Sequence, residues 1–231
     1  MRYNCLIFVI HKVARCLLCA TLIFFSNLAL KYSEKLTFAF PMNSYLSSSL
    51  KRSFDMLISI MVLPFAMVLI CFGGILILIT TGGSILYSQN RIGKGGVEFK
   101  IFKLRTLVKD ASGDLAGMTK NDPQIFWIGR YLRRWRIDEL PQIFNIISGD
   151  MSWVGPRPER PHLVKSFGTL HKDYQIRHQA LPGITGLAQI NLPDATPNDT
   201  AKKLPFDIEY VGKANFFMDL KILLKTIQAI G

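Results

Sequence analysis

Asp138 and Glu139 stand side by side in a stretch from Arg133 to Pro161, RRWRIDELPQIFNIISGDMSWVGPRPERP, that concentrates acids, arginines and prolines. On a helix, adjacent side chains diverge by about 100 degrees, close enough to share one metal or one phosphate. That pairing suits a nucleophile beside a metal ligand. A carboxylate can attack phosphorus to form an acyl phosphate, which divides one group transfer into two easier steps. Two carboxylates alone would repel a pyrophosphate, so magnesium and nearby arginines would have to neutralise the substrate. Arg157 lies between Pro156 and Pro158, which hold its backbone extended and pre-set its guanidinium as a phosphate clamp. Lys103, Arg105 and Arg133 are further phosphate candidates, although such residues also contact solvent or lipid headgroups. The competing reading of Asp138-Glu139 is an acidic helix start, with Asp138 near the N-cap and Pro141 in the first turn. Taken alone the capping reading would win; Arg157, Arg133 and a membrane anchor, which it leaves unexplained, shift the balance to the reactive pair.

The elements that must position this stretch begin with a membrane signal. Lys51 and Arg52 precede an uncharged segment, Met56 to Ile79, long enough to cross a bilayer. Pro64 inside it removes a backbone donor and predicts a kink. Basic residues on both sides favour one membrane face for both ends, which a re-entrant helix satisfies; a simple spanning helix with Pro64 as a tolerated kink is the alternative. Residues 83–109 alternate apolar and polar residues around Gly93–Gly96, the pattern of a β-hairpin. A helix is expected from about Asp122-Pro123, with Ile125, Ile128, Tyr131, Leu132 and Trp135 as its apolar face and arginines opposite. Asn215–Ile230 reads as an amphipathic helix, packed on the core or lying in the membrane interface. The loop Asn191–Leu204 is the expected mobile element.

Composition bounds the alternatives. The chain has 231 residues, a net charge of +12 and 49% hydrophobic residues, a balance open to either a membrane protein or a nucleic-acid binder. The apolar segment and the lack of stacking aromatics in a basic groove count against nucleic acid. Cys5, Cys16, Cys19 and Cys71 all lie in apolar stretches, which argues against a disulfide framework, and Cys16/Cys19 lack a second ligand pair for zinc. The four histidines show no metal-ligand spacing and read as ordinary surface or core residues. Gly93–Gly96 is neither a P-loop nor a dinucleotide fingerprint. Residues 1–41 are read as an apolar extension, 42–82 as the membrane-anchoring helix and 83–231 as the catalytic domain; Met42 is an alternative start.

From Lys51 onward the chain resembles the bacterial sugar transferase family, the small monotopic phosphoglycosyl transferases. The resemblance rests on Lys51-Arg52-Ser53-Phe54-Asp55, Gln89-Asn90-Arg91-Ile92-Gly93, Phe99 to Thr106, Asp138-Glu139-Leu140-Pro141-Gln142, Gly149-Asp150-Met151-Ser152, Gly155-Pro156-Arg157-Pro158-Glu159 and Pro182-Gly183-Ile184-Thr185-Gly186, in the family's order. It implies an α+β, membrane-associated fold: a kinked re-entrant helix, a small hairpin and surface amphipathic helices around a compact catalytic domain. It also implies a magnesium-dependent ping-pong reaction on the cytoplasmic face of the bacterial inner membrane. Asp138 would attack the β-phosphorus of a UDP-sugar, release UMP and pass the phospho-sugar to polyprenyl phosphate. Glu139 is carried over as the magnesium-associated acid, and Lys103 or Arg105, Arg133 and Arg157 as phosphate contacts. Membrane lipid is an expected partner, and a homodimer is left open. Leu63 before Pro64, Leu181 before the Pro-Gly-Ile-Thr-Gly motif and Asn191-Leu192-Pro193 after it depart from the family's pattern. Asp207, Tyr210 and Asp219 keep it, in a structural or a catalytic role. A membrane scaffold whose arginines bind anionic lipid is the non-enzymatic alternative.

Overall fold

The computed structural model describes residues 43–108, 124–196 and 199–230. Asn43 accepts a hydrogen bond from the Tyr45 amide at the start of a 3₁₀ turn, Ser44–Ser47. Ser48 then caps the first α-helix through the Lys51 amide. This helix, α1, runs Ser49–Thr81 through Pro64 without interruption and ends on Gly82, whose φ of 63° is the left-handed cap that glycine favours. Its 33 residues span roughly 50 Å at 1.5 Å per residue.

One stripe of α1 is buried along its length. The stripe is polar at first, Lys51, Asp55 and Ser59, and then apolar or small, Ala66, Ile70, Gly73, Gly74 and Ile77. At Gly73 an added Cβ would press on Leu104 and Leu132, so the missing side chain is what lets the helix approach the domain. The opposite face carries exposed Leu57, Ile60, Met61, Phe65, Val68, Phe72 and Ile79. An apolar face of this extent suits lipid and not water.

The hairpin appears where alternation places it. Strand β1 (Leu86–Ile92) pairs antiparallel with β2 (Glu98–Leu104), Leu86 opposite Leu104 and Ile92 opposite Glu98. Helix α2, Trp127–Arg134, differs from expectation in which side chains it buries. Ile128 and Leu132 face the core, but Tyr131 and Trp135 join Trp127 in an outer stripe, each more than half exposed. The helix thus has apolar side chains on two sides, and periodicity alone merged them. The expected start at Asp122-Pro123 lies outside the described residues.

Beyond the 3₁₀ turn Ile137–Gln142 come α3 (Ile143–Ser148), β3 (Ser152–Val154), α4 (Pro161–Leu170) and a second 3₁₀ stretch, Lys172–Gln179. Strand β4 (Gly183–Thr185) pairs with β3 in parallel, Ser152 opposite Gly183. Side chains at Gly155, Gly183 or Gly186 would each collide with backbone here, so three glycines allow the contact. Helix α5 (Leu187–Asn191) follows, then α6 (Thr200–Lys213), which claims residues assigned by composition to the loop Asn191–Leu204. Leu204 is buried against Ile92, Val164, Phe167 and Tyr174, and that packing outweighs the local polarity. Helix α7 (Phe216–Ile230) is docked by Asp219 and Ile222 while Phe217, Leu220, Leu224 and Ile227 stay exposed. One face thus packs on the core, as one of the two readings expected, and an apolar face opposite it stays open.

Candidate active site

A cavity of about 630 Å³ opens between the hairpin, the turn Ile137–Gln142, the segment Gly155–Arg160 and helices α5 and α6. Side chains of a strand alternate between faces, so Tyr87, Gln89 and Arg91 of β1 line it together. The register places Ile101, Lys103 and Arg105 of the β2 side on the same wall, with Lys103 opposite Tyr87. The walls carry nine Lys and Arg against four Asp and Glu. That excess is an electrostatic reason for an anionic ligand.

Asp138 enters the cavity through an unusual turn. Helix α2 ends, and Arg136 takes a left-handed conformation (φ 53°), a position that would suit glycine. The chain then winds into a 3₁₀ turn, where successive side chains diverge by about 120°. Asp138 and Glu139 both reach the cavity wall. Asp138 does not act as the helix cap, since Arg136 occupies that position and no side chain makes a capping bond.

Glu139 is held by two cations through one oxygen. Its Oε1 accepts from Lys103 Nζ at 2.7 Å and from an Arg157 terminal nitrogen at 2.7 Å. Burial opposes its ionisation, yet Arg157 and Lys103 outweigh burial and hold the carboxyl well below its usual range. Asp138 moves the other way, to about 6, because burial dominates and Glu139 adds repulsion against the pull of Lys103, Arg133 and Arg157. Two adjacent carboxyls are therefore driven apart, the pattern that separates roles in acid–base and nucleophilic sites.

Arg157 is positioned from behind. Its carbonyl oxygen accepts from Arg177 at 2.8 Å, and Arg177 is itself anchored by Asp207 (3.0 Å from Nε) and by the Tyr174 hydroxyl oxygen (3.0 Å). Arg91 donates to the Pro158 carbonyl at 3.0 Å. Glu159 is paired with Lys203 at 3.1 Å. The prolines on either side of Arg157 thus work together with buried Arg177 and half-buried Arg91, which grip the backbone of this segment.

All six residues singled out by sequence, Lys103, Arg105, Arg133, Asp138, Glu139 and Arg157, line this one cavity. Arg133 Nε donates to Thr106 Oγ1 at 2.8 Å. Arg105 reaches Thr81 at the end of α1. Sequence reading passed over Arg91, Arg177 and Gln189 as site residues. Arg91 was accessible from the alternation that it shares with Tyr87 and Gln89 on β1, whereas Arg177 reaches the site only through tertiary packing. Gln189 has both polar atoms of its carboxamide buried without partners, beside Gly186. Asp207, Tyr210 and Asp219 take structural partners: Asp207 binds Arg177, and the Tyr210 hydroxyl donates to Asp219.

Among the described residues no group of three or more His, Cys, Asp or Glu could hold a metal by itself. Magnesium needs less, since it is commonly bound by one or two carboxylates with water and substrate oxygens completing the octahedron. Asp138 and Glu139 fit that donor set.

The sequence profile described as "Bacterial sugar transferase" matches residues 46–231. The chain is 35% identical over 183 residues to the UDP-N-acetylgalactosamine-undecaprenyl-phosphate N-acetylgalactosaminephosphotransferase of Aeromonas hydrophila, covering 78% of this chain and 43% of that protein. It is 38% identical over 186 residues to the undecaprenyl-phosphate glucose phosphotransferase of Komagataeibacter xylinus, covering 77% and 35%. With the uncharacterized sugar transferase EpsL of Bacillus subtilis (strain 168) it shares 37% identity over 184 residues, 78% of this chain and 87% of that one. The chain spans less than half the length of the first two relatives.

Proposed function

The chain belongs to the bacterial sugar transferase family, and from that premise we propose that it transfers a sugar-1-phosphate from a UDP-sugar to polyprenyl (undecaprenyl) phosphate, the initiating step of a bacterial surface glycan. The observation that carries this reading is the split acid pair: Asp138 buried in a cationic cavity beside Glu139, which Lys103 and Arg157 hold ionised. In the first half-reaction an Asp138 carboxylate oxygen bonds to the β-phosphorus of the donor while the bond from that phosphorus to the bridging oxygen breaks. UMP leaves with the bridging oxygen and its electron pair. In the second, an oxygen of the lipid phosphate attacks the aspartyl phospho-sugar, forming the lipid diphosphate-sugar and restoring the carboxylate.

The residues around the pair serve to bind and orient. Lys103 and Arg157 bridge to Glu139 on one side and offer their remaining donors to phosphate oxygens on the other. Arg105 and Arg133 add charge where the hairpin meets the end of α1. Magnesium, held by Glu139 with Asp138, would supply further neutralising charge for the donor's phosphates.

A monotopic arrangement at the cytoplasmic face of the inner membrane accounts for α1. Both of its ends hold the same domain, Lys51 through Asp219 and Thr81 through Arg105. A re-entrant helix keeps both ends on one side of the bilayer, and the flanking basic residues favour the cytoplasmic side. The acceptor's phosphate sits at that interface, which gives the membrane anchor its reason.

The test is UMP release by the purified full chain with magnesium. With UDP-sugar and no acceptor, a burst approaching one UMP per chain is expected. Asp138→Asn should abolish the burst and reduce turnover by roughly three orders of magnitude or more, as loss of a catalytic nucleophile does. Full turnover in Asp138→Asn would remove Asp138 as nucleophile.

A further inference from the structure

The cationic wall of the cavity is extended, and its two ends differ in what lies behind them. At one end, Ile85, Leu86 and Leu104 pack on α1, and the Arg105 amide donates to Ile85 at 2.8 Å. At the other, Ile92 packs with Val164, Phe167, Tyr174 and Leu204, away from the membrane helix. Leu86 and Arg91 are five residues apart on β1, roughly 17 Å at about 3.3 Å per residue. Lys103, opposite Tyr87, falls between Arg105 and Arg91 along this ladder.

Arg91 has an unusual set of partners. Its two terminal nitrogens donate to neutral acceptors, the Pro158 carbonyl at 3.0 Å and Gln89 Oε1 at 2.9 Å, while Nε is buried without a partner. None of these is a carboxylate, and the nearby Glu159 is bonded to Lys203. Burial, reinforced by the charges of Arg157 and Arg160, outweighs the pull of Glu159 and pushes the guanidinium down to about 10. A half-buried cation in a cavity wall without a bonded counter-charge is costly unless a ligand supplies the anion. Arg91 is held against the backbone of the segment that presents Arg157, so an anion reaching Arg157 from the hairpin side comes within reach of both.

Building on the proposed transferase reaction, we infer that Arg91 binds the phosphate of the nucleoside monophosphate that leaves, so that the nucleotide half of the donor occupies the far end of the cavity and the lipid phosphate enters at the Arg105 end. The arrangement suits a ping-pong transfer. The leaving and the incoming oxygen take in turn the position opposite Asp138 on the reacting phosphorus, while the nucleoside and the lipid extend toward different ends of the cavity.

The experiment measures UMP alone binding to the purified full chain by calorimetry, with the Michaelis constants for UDP-sugar and polyprenyl phosphate in parallel. Arg91→Gln should weaken UMP binding roughly 10- to 100-fold, the range for a lost charge-assisted hydrogen bond, and raise the UDP-sugar constant. The polyprenyl phosphate constant should stay within about twofold. Arg91→Lys, which keeps the charge, should recover part of the UMP affinity, and it carries the test if Arg91→Gln fails to fold. Arg105→Gln should show the reverse pattern, a raised polyprenyl phosphate constant with UMP binding kept. Unchanged UMP binding in the Arg91 variants, or a selective rise in the polyprenyl phosphate constant, would overturn the inference. Failure of the transferase reading would look different: wild-type chain releasing no UMP from any UDP-sugar, whatever the variants do to binding.

Discussion

Among the described residues, two of the clusters in which lysine or arginine meets carboxylates are built to opposite ends. At the start of α1, Lys51 lies 2.7 Å from Asp219 and 3.2 Å from Asp55, with both acids fully enclosed. Asp219 also accepts from the Tyr45 and Tyr210 hydroxyls, and Asp55 from Ser152 and the Trp153 amide. Nearly every donor there has a protein acceptor. At the cavity, Lys103 and Arg157 share a single oxygen of Glu139, and the surrounding cations outnumber the acids. A closed cluster spends its charges on itself and fastens α1 to β3 and α7. The open cluster leaves positive charge over for a ligand.

The comparison breaks first, and hardest, at Lys51. Lys51→Met leaves two buried carboxylates without their cation, a change that typically costs about 3–5 kcal/mol. A large fall in melting temperature of the detergent-solubilised chain is expected, with activity lost along with the fold. An unchanged melting temperature would mean that the closed cluster is not what joins the helix to the domain. Lys103→Met is the matching change in the open cluster. Glu139 keeps Arg157 as a partner, so stability should fall by clearly less than the about 3–5 kcal/mol of a fully broken buried pair, while turnover falls on the order of 10²-fold for loss of a pre-organised charge contact. If Lys103→Met instead destabilised the chain as much as Lys51→Met, the distinction between the two clusters would collapse.

Much of this architecture was legible beforehand, for physical reasons that differ by element. The hairpin, α1 and α7 announce themselves because alternation, an unbroken apolar run and amphipathic spacing are local properties. Two of the cavity's four acids, Asp138 and Glu139, and four of its nine cations were legible as a concentration of reactive types, and those six converge. Tyr131 and Trp135 were misplaced because an exposed aromatic stripe and a core stripe obey the same helical period. The start of α6 was missed because Thr200–Leu204 is polar by composition and helical by virtue of what Leu204 packs against. The parallel pair β3–β4 left no pattern, since three-residue strands are too short to show one. Arg177 joins the site through Asp207, thirty residues on, a distance that no local rule spans.

The smallest effect expected lies just behind the open cluster, at a histidine that sequence reading took as ordinary. His178 is buried beside Arg177 and against the Tyr174 ring, with Nδ1 2.9 Å from Gln175 Oε1 and Nε2 without a partner. Burial, with the Arg177 charge second, pushes it down to about 3. The folded chain therefore keeps it neutral while the unfolded chain takes up a proton near pH 6.5. Between those values the unfolded state binds more protons, so stability is intact above about pH 6.5 and declines as pH falls toward 3. His178→Gln, which cannot take up that proton, should lose less stability between pH 7 and pH 5, by on the order of 1–2 kcal/mol relative to wild type. Urea unfolding in detergent at the two pH values measures the difference directly. Parallel losses in both proteins would show that a charge on His178 is tolerated beside Arg177, and that the cation excess of the open cluster does not extend its repulsion to the residue behind it.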